Sequence, residues 1–297
     1  MKNLSTVLSE TFKSTLKNVV ELNECVIAAK RIDAEENGDK NFIVIKHRDR
    51  NYKPSLSIVH TVVNGMEIAY LRDDTTLWSE GMNAAGICIV NSALAVDADE
   101  NMAKLAKKAD TAPKFSKDGE RILKALTMNN IDDASFFANN FKGGIQGHTL
   151  ITDGDEVYTM EMTSQHPAVI TRLDGMDLIV RTNTGIIHPD AGYQQGFGVG
   201  YKSSLVRKST TEDMIRDLND PKEMLAAMRK QPYAKNSQLN PRRSTSSLST
   251  SSQLLMNPKT LSLHLVLIKD QVEIFKGIVD QIPPDFEPQI KITYEEA

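Results

Sequence analysis

Leu22-Asn23-Glu24-Cys25-Val26-Ile27-Ala28-Ala29-Lys30-Arg31 and, past a charged turn, Phe42-Ile43-Val44-Ile45-Lys46-His47-Arg48-Asp49-Arg50-Asn51 decide how this chain is read. Each is an apolar run of strand length. The polar segment between them, Asp33-Ala34-Glu35-Glu36-Asn37-Gly38-Asp39-Lys40, carries Asn and Gly, the composition of a turn. Two strands joined this way predict a hairpin, and the hairpin brings a lone thiol at the start of one strand beside the charges that close the other. A strand cysteine is more often a small buried hydrophobe than a reagent, so the rest of the chain has to weigh between the two.

Working outward, strand patterns dominate the first third. Ser55 to Val63 and Met66 to Leu71 flank Asn64-Gly65, the strongest short hairpin signal. Gly81 to Ser92 then reads as a Gly-bearing turn leading into a buried strand. The period changes over Met102 to Lys108, Gly119 to Met128 and Asp132 to Phe141, which read as helices, the last with Asp132 or Asp133 as N-cap. Strands return at His148–Thr152, Val157–Glu161, Ala168–Thr171 and Leu178–Thr182. A second helical block spans Thr211 to Arg229, divided at Pro221, because proline suits a helix start. Thr260–Ile268 and Val272–Phe275 are β again, with Ser244–Ser252 as the lead into that last hairpin or a loop over the site. Hairpin sets separated by helical blocks predict an α+β protein of stacked antiparallel sheets covered by helices.

With 297 residues, 40% of them apolar and 25% charged, the chain is long enough to bury its own core. A formal charge of -4 gives no electrostatic case for a nucleic-acid partner. Two cysteines, Cys25 and Cys88, argue against a disulfide scaffold and fit a reducing, cytoplasmic setting. No apolar run has the length of a membrane span. The six histidines, His47, His60, His148, His166, His188 and His264, lack helical metal-ligand spacing, so neither a metal nor another cofactor is expected.

Residues 1–24 carry Leu4, Val7, Leu8, Phe12, Leu16, Val19 and Val20 at helical spacing, with Glu10 and Glu21 interrupting any signal-peptide pattern. They read either as an N-terminal amphipathic helix or as a propeptide over the site, and residues 25–297 as the catalytic domain.

In this order, the motifs resemble the cysteine branch of the N-terminal-nucleophile hydrolases: choloylglycine hydrolases, penicillin V acylases and the acyl-coenzyme A:6-aminopenicillanic acid acyltransferase group. The likeness is carried by Cys25 opening a strand, Lys46-His47-Arg48-Asp49, Glu80 to Gly86 before a strand ending in Asn91, and Gly147-His148-Thr149 through Asp153 and Glu161. It continues in Arg181-Thr182-Asn183 and Ser203-Ser204-Leu205-Val206-Arg207. The resemblance implies a four-layer αββα fold and cleavage or acyl transfer at a linear amide of a small N-acyl substrate. It further implies that Cys25 is the nucleophile, Asp49 the carboxylate near its amine and Lys46 the cation beside the thiol. Asn183 is then an oxyanion donor, Asn91 lies beside the other donor, and Arg207 is a distal structural arginine.

The residue types fit that chemistry. A free α-amine titrates at about 7.7–8.0, so near neutrality it takes a thiol proton without any histidine. Because 24 residues precede Cys25, the reading requires a zymogen cut between Glu24 and Cys25, with autocatalytic attack by the thiol on the preceding carbonyl as one route. Turnover would then pass through a thioester. Two other readings stay open: a papain-like pair of Cys25 with a histidine in an uncut chain, and a non-catalytic member of the fold that binds an acyl group. Substrate identity, hydrolysis against transfer, and homo-oligomer formation are not fixed by the sequence.

Overall fold

The first two runs pair as the sequence predicts. In the computed structural model, which describes residues 24–33, 40–94, 118–163, 166–195, 198–245 and 248–297, β1 (Glu24–Asp33) lies antiparallel to β2 (Lys40–Arg50). Their register sets Cys25 opposite Arg48 and Glu24 opposite Asp49. The turn between them, the 102–108 helix and the amphipathic segment before Glu24 fall outside the described residues. β3 (Ser55–Val63) and β4 (Met66–Asp73) are closed by Asn64 and Gly65 at φ 53° and 80°, the two left-handed positions of a type I′ turn.

The remaining strands are β5 (Ser79–Asn83), β6 (Cys88–Ser92), β7 (Gly147–Thr152), β8 (Val157–Met162), β9 (Val169–Arg172), β10 (Leu178–Arg181), β11 (Ser249–Asn257), β12 (Ser262–Leu267), β13 (Ile274–Gln281) and β14 (Lys291–Glu296). They form one six-stranded sheet, β10-β1-β2-β11-β12-β14, and one eight-stranded sheet, β13-β3-β4-β5-β6-β7-β8-β9. Both are mostly antiparallel, as expected. Each also gains a parallel outer strand, β14 on β12 and β13 on β3, so the sheets are mixed. The expected closing hairpin is therefore not formed: the segment after β12 crosses to the other sheet, and β12 instead pairs with β11.

Side chains alternate across a strand, so each sheet offers two faces to be covered. Ile27, Ala29, Phe42 and Val44 from one sheet meet Leu56, Ile58, Ala69 and Leu71 from the other, forming the seam between them. The opposite face of the six-stranded sheet, with Val26, Ala28, Ile43 and Ile45, is covered by Ile215 of α3 (Gly198–Ile215) and by Met224, Leu225 and Met228 of α4 (Pro221–Arg229). The outer face of the eight-stranded sheet packs on α1 (Asp118–Ala125) and α2 (Ile131–Asn140) through Ile122, Ala134 and Ala138. The layers are thus α, β, β and α.

Local chemistry places the helix ends. Asp220 caps α4 through Lys222 N, with Pro221 in the first turn as expected. α2 differs from expectation: its cap is Asn130, whose side chain accepts from Asp133 N, and Asp132 and Asp133 lie inside the first turn. α1 starts at Gly119's approach to the 77–79 segment, where an added Cβ would stand 1.9 Å from Leu77 O, a contact only glycine tolerates.

Candidate active site

Even-numbered residues at the end of β2 and odd-numbered residues of β1 share the seam between the sheets, so Lys46, Arg48 and Arg50 point to the same side as Cys25. Arg50 Nη1 lies 3.9 Å from Cys25 Sγ. Lys46 donates to Glu80 Oε2 at 3.0 Å, and Arg48 Nε to Glu80 Oε1 at 3.0 Å. Asp73 stands 3.6 Å from Arg48 and 3.5 Å from Arg50, and it also accepts from Tyr52 Oη at 2.7 Å. All five charged groups are essentially without solvent contact.

Such burial is costly for charge unless partners converge. Burial pulls the Lys46 ammonium below its ordinary value, while the Cys25 sulfur and Glu80 act to hold its proton. Burial would raise Glu80, but Arg48 and Lys46 together outweigh it and leave the carboxyl below the usual range. For Arg50 the penalty of burial is outweighed by Cys25, Tyr52, Asp73 and Glu80, which push it further into its charged form. Three cations here, Lys46, Arg48 and Arg50, face two carboxylates, Glu80 and Asp73, and the Cys25 sulfur lies against this group.

On the other face of the same two strands sits a second cluster. Glu24 accepts from Arg207 Nη2 at 2.9 Å and from Tyr193 Oη at 2.6 Å, and its carboxylate lies 2.7 Å from Arg243 Nη1. Asp49 is farther from the same arginines, 3.3 Å from Arg207 and 3.8 Å from Arg243, and accepts from Thr250 Oγ1 at 2.7 Å. That difference explains their opposite shifts. Burial raises Asp49 above the ordinary carboxylate value, whereas at Glu24 the same penalty is overcome by Arg243, Arg207 and Tyr193 and the carboxyl is lowered. Arg207 is delivered by α3, where Ser203, Arg207 and Thr211 recur every fourth residue on the buried face. Arg243 is steadied by Ser203 Oγ at 2.7 Å.

Asn183 connects the two clusters just beyond β10. Its Oδ1 accepts from Cys25 N at 3.4 Å and from Arg207 Nη2 at 2.9 Å, and its Nδ2 donates to Ser92 Oγ at 3.3 Å and Ala93 O at 2.6 Å. Ser204 Oγ holds the Asn183 backbone N–H at 3.0 Å. Beneath this turn, Glu161 accepts the backbone N–H groups of Ile186, Ile187 and His188 at 2.8–3.1 Å and faces His148 at 3.5 Å.

Of the six residues expected from the sequence, Cys25, Lys46, Asp49, Asn183 and Arg207 are gathered at one end of β1. It is Asn183, not Asp49, that contacts the Cys25 backbone N–H. Asn91 is turned away toward the helix layer, donating to Gln146 O and Thr149 Oγ1, and it is the next residues, Ser92 and Ala93, that reach Asn183. Trp78 borders the same cluster, with the Lys46 ammonium 5.6 Å from its ring centre. Sequence reasoning missed Arg50, Asp73 and Arg243, and did not foresee that the Glu24 side chain would pair with Arg207, Arg243 and Tyr193. Arg50 was findable, since a period of two carries the Lys46-Arg48 face on to it.

This geometry invites comparison with solved structures. The N-acylethanolamine-hydrolyzing acid amidase ortholog of Caenorhabditis elegans superposes with a TM-score of 0.50 at 14% identity, over 79% of this chain and 92% of that one. The chain has the N-terminal-nucleophile hydrolase fold. Penicillin V acylase from Agrobacterium tumefaciens matches at a TM-score of 0.47 and 10% identity, over 84% of this chain and 95% of that one. No family model and no curated protein matches the sequence. The four layers that the resemblance implies are those seen in the packing of the two sheets and their helices. Among the described residues no helix is long and apolar enough to cross a membrane, and no group of His, Cys, Asp and Glu could hold a metal ion.

Proposed function

We propose that the protein is a cysteine amidase of small linear N-acyl amides, made active by cleavage between Glu24 and Cys25. One observation carries this reading: the Cys25 thiol opens β1 against a buried group of three cations and two carboxylates, with Arg50 Nη1 3.9 Å from its sulfur. An inert structural cysteine needs no such surroundings. The buried thiol of the uncut chain also fits a zymogen.

In processing, Sγ attacks the Glu24 carbonyl carbon, the C–N bond breaks, and water hydrolyses the resulting thioester, leaving a free amine on Cys25. In turnover that amine accepts the thiol proton, and the thiolate adds to the substrate amide carbon. The oxyanion needs donors close by, each worth about 2.7–4 kcal/mol of transition-state stabilisation. Asn183 Nδ2, on giving up Ala93 O, and Arg50 Nη2, buried without a hydrogen-bond partner among the described residues, are the donors the site offers. The amine then protonates the departing nitrogen, and water or another amine takes the acyl group from sulfur.

A papain-like pair is disfavoured by the histidines. His47 faces Pro241 O and Gln253 on the helix side, His60 pairs with Glu67, and His148 with Thr184 O. His166, His188 and His264 contact Asp190, Pro167 O and Thr293 respectively. That the acid amidase sharing this fold is named for amide hydrolysis agrees with the bond class. The test is intact mass with an acyl probe for thiols: a chain starting at Cys25 and acylated once supports the reading, and turnover by an uncut chain contradicts it.

A further inference from the structure

The Glu24 cluster has a consequence for the mature enzyme. While the chain is uncut, two arginines and two carboxylates balance in a buried space: Arg207 and Arg243 against Glu24 and Asp49. Cleavage before Cys25 removes Glu24. Asp49 then remains alone with both guanidiniums, which are wholly or almost wholly buried, and the Tyr193 hydroxyl loses its acceptor. A buried charge stripped of its partner is strongly unfavourable, so the vacated space has high affinity for another carboxylate.

Its position says which carboxylate. In processing, Glu24 is the acyl group that the sulfur attacks, and in turnover the substrate's acyl group takes that place on the same sulfur. Between the Glu24 carbonyl carbon and its side-chain carboxyl carbon lie three carbons, the spacing of a glutaryl group. We infer that the Arg207–Arg243–Tyr193 cage is an acyl-side subsite that recognises the terminal carboxylate of a five-carbon dicarboxylic half-amide. This rests on the processing reading above and adds the substrate class to it.

The experiment compares glutarate binding to the wild-type protein with binding to Cys25→Ala, by titration calorimetry at neutral pH, with intact mass recorded for both. Cys25→Ala retains Glu24 in the cage. Processed wild type is expected to bind glutarate at least about tenfold more tightly than Cys25→Ala, given two charge-assisted contacts. Tyr193→Phe, which deletes one donor and keeps the ring, is expected to weaken binding severalfold. Among coumarin amides, the glutaryl compound is expected to exceed its neutral 4-carbamoylbutanoyl isostere by about tenfold or more in kcat/KM. Processed protein that binds glutarate no better than Cys25→Ala overturns the subsite alone. Wild-type protein still joined at Glu24–Cys25 and active on amides overturns both the subsite and the processing reading.

Discussion

The Glu24 carboxylate and the Arg243 guanidinium lie 2.7 Å apart, on the face of β1 opposite the Cys25 thiol. The residue preceding Cys25 is thus pinned by its side chain, which Arg207 and Tyr193 hold as well.

Removing that anchor's charge leaves Arg207 and Arg243 sharing Asp49. In a Cys25→Ala background, which cannot process, Glu24→Gln is expected to lower stability by about 3 kcal/mol, as for other broken buried pairs. Urea unfolding midpoints measure it. A loss below about 1 kcal/mol would show that the cluster is not energetically closed by Glu24.

Arg50 Nη1 stands 3.9 Å from the Cys25 sulfur. Replacing it with methionine keeps the bulk of its stem while Asp73 retains Arg48 and Tyr52. Arg50→Met is expected to reduce kcat/KM by about tenfold to a hundredfold. Rates are to be normalised to the processed fraction by intact mass. An unchanged kcat/KM would remove Arg50 from the chemistry.

Stability should fall as the medium is acidified. Burial depresses both His47 and His148 to about 4, so each is neutral when folded and takes up a proton more readily when unfolded. Their contribution is complete above about 6.5, the value for an unfolded histidine, and is lost between there and about 4. Glu161 acts in the same direction. Burial opposes its ionisation, but His148 and the backbone N–H groups of residues 186–188 hold its pKa below the ordinary value. Urea midpoints at pH 7 and pH 5 are expected to differ, and His47→Gln is expected to shrink the difference. A midpoint unchanged between the two would contradict the burial of both rings.

Much of the fold was legible because its signals are local. Asn64-Gly65 closes a hairpin and Pro221 opens a helix for reasons contained within a few residues. Three features depended on distant partners. Ser244–Ser252 reads as a lead or a loop, yet its second half opens β11, the strand between β2 and β12, where the Thr250 and Ser251 hydroxyls donate to Asp49 and Arg48 O. Nothing near Ile274 says that β13 will join β3 rather than β12. Helix α3 begins at Gly198, well before the Thr211 start read from periodicity, since its inward face carries Ser203, Ser204 and Arg207 and is polar where an amphipathic pattern expects apolar residues.

The site divided in the same way. Cys25, Lys46 and Asp49 share one hairpin, and their proximity follows from its register. Arg243 approaches Glu24 from a loop more than two hundred residues later, a distance across which one sequence carries no spacing signal. Asn91 was placed by order alone, and strand alternation turns it away while bringing Ser92 to Asn183.

The most direct test is N-terminal sequencing of the purified wild-type protein and of Cys25→Ala, with amidase activity measured on the same samples. Active wild-type protein whose chain starts at Cys25, beside an inactive Cys25→Ala chain still carrying Glu24, is the predicted result. Full amidase activity in protein whose Glu24–Cys25 bond is unbroken would contradict the account.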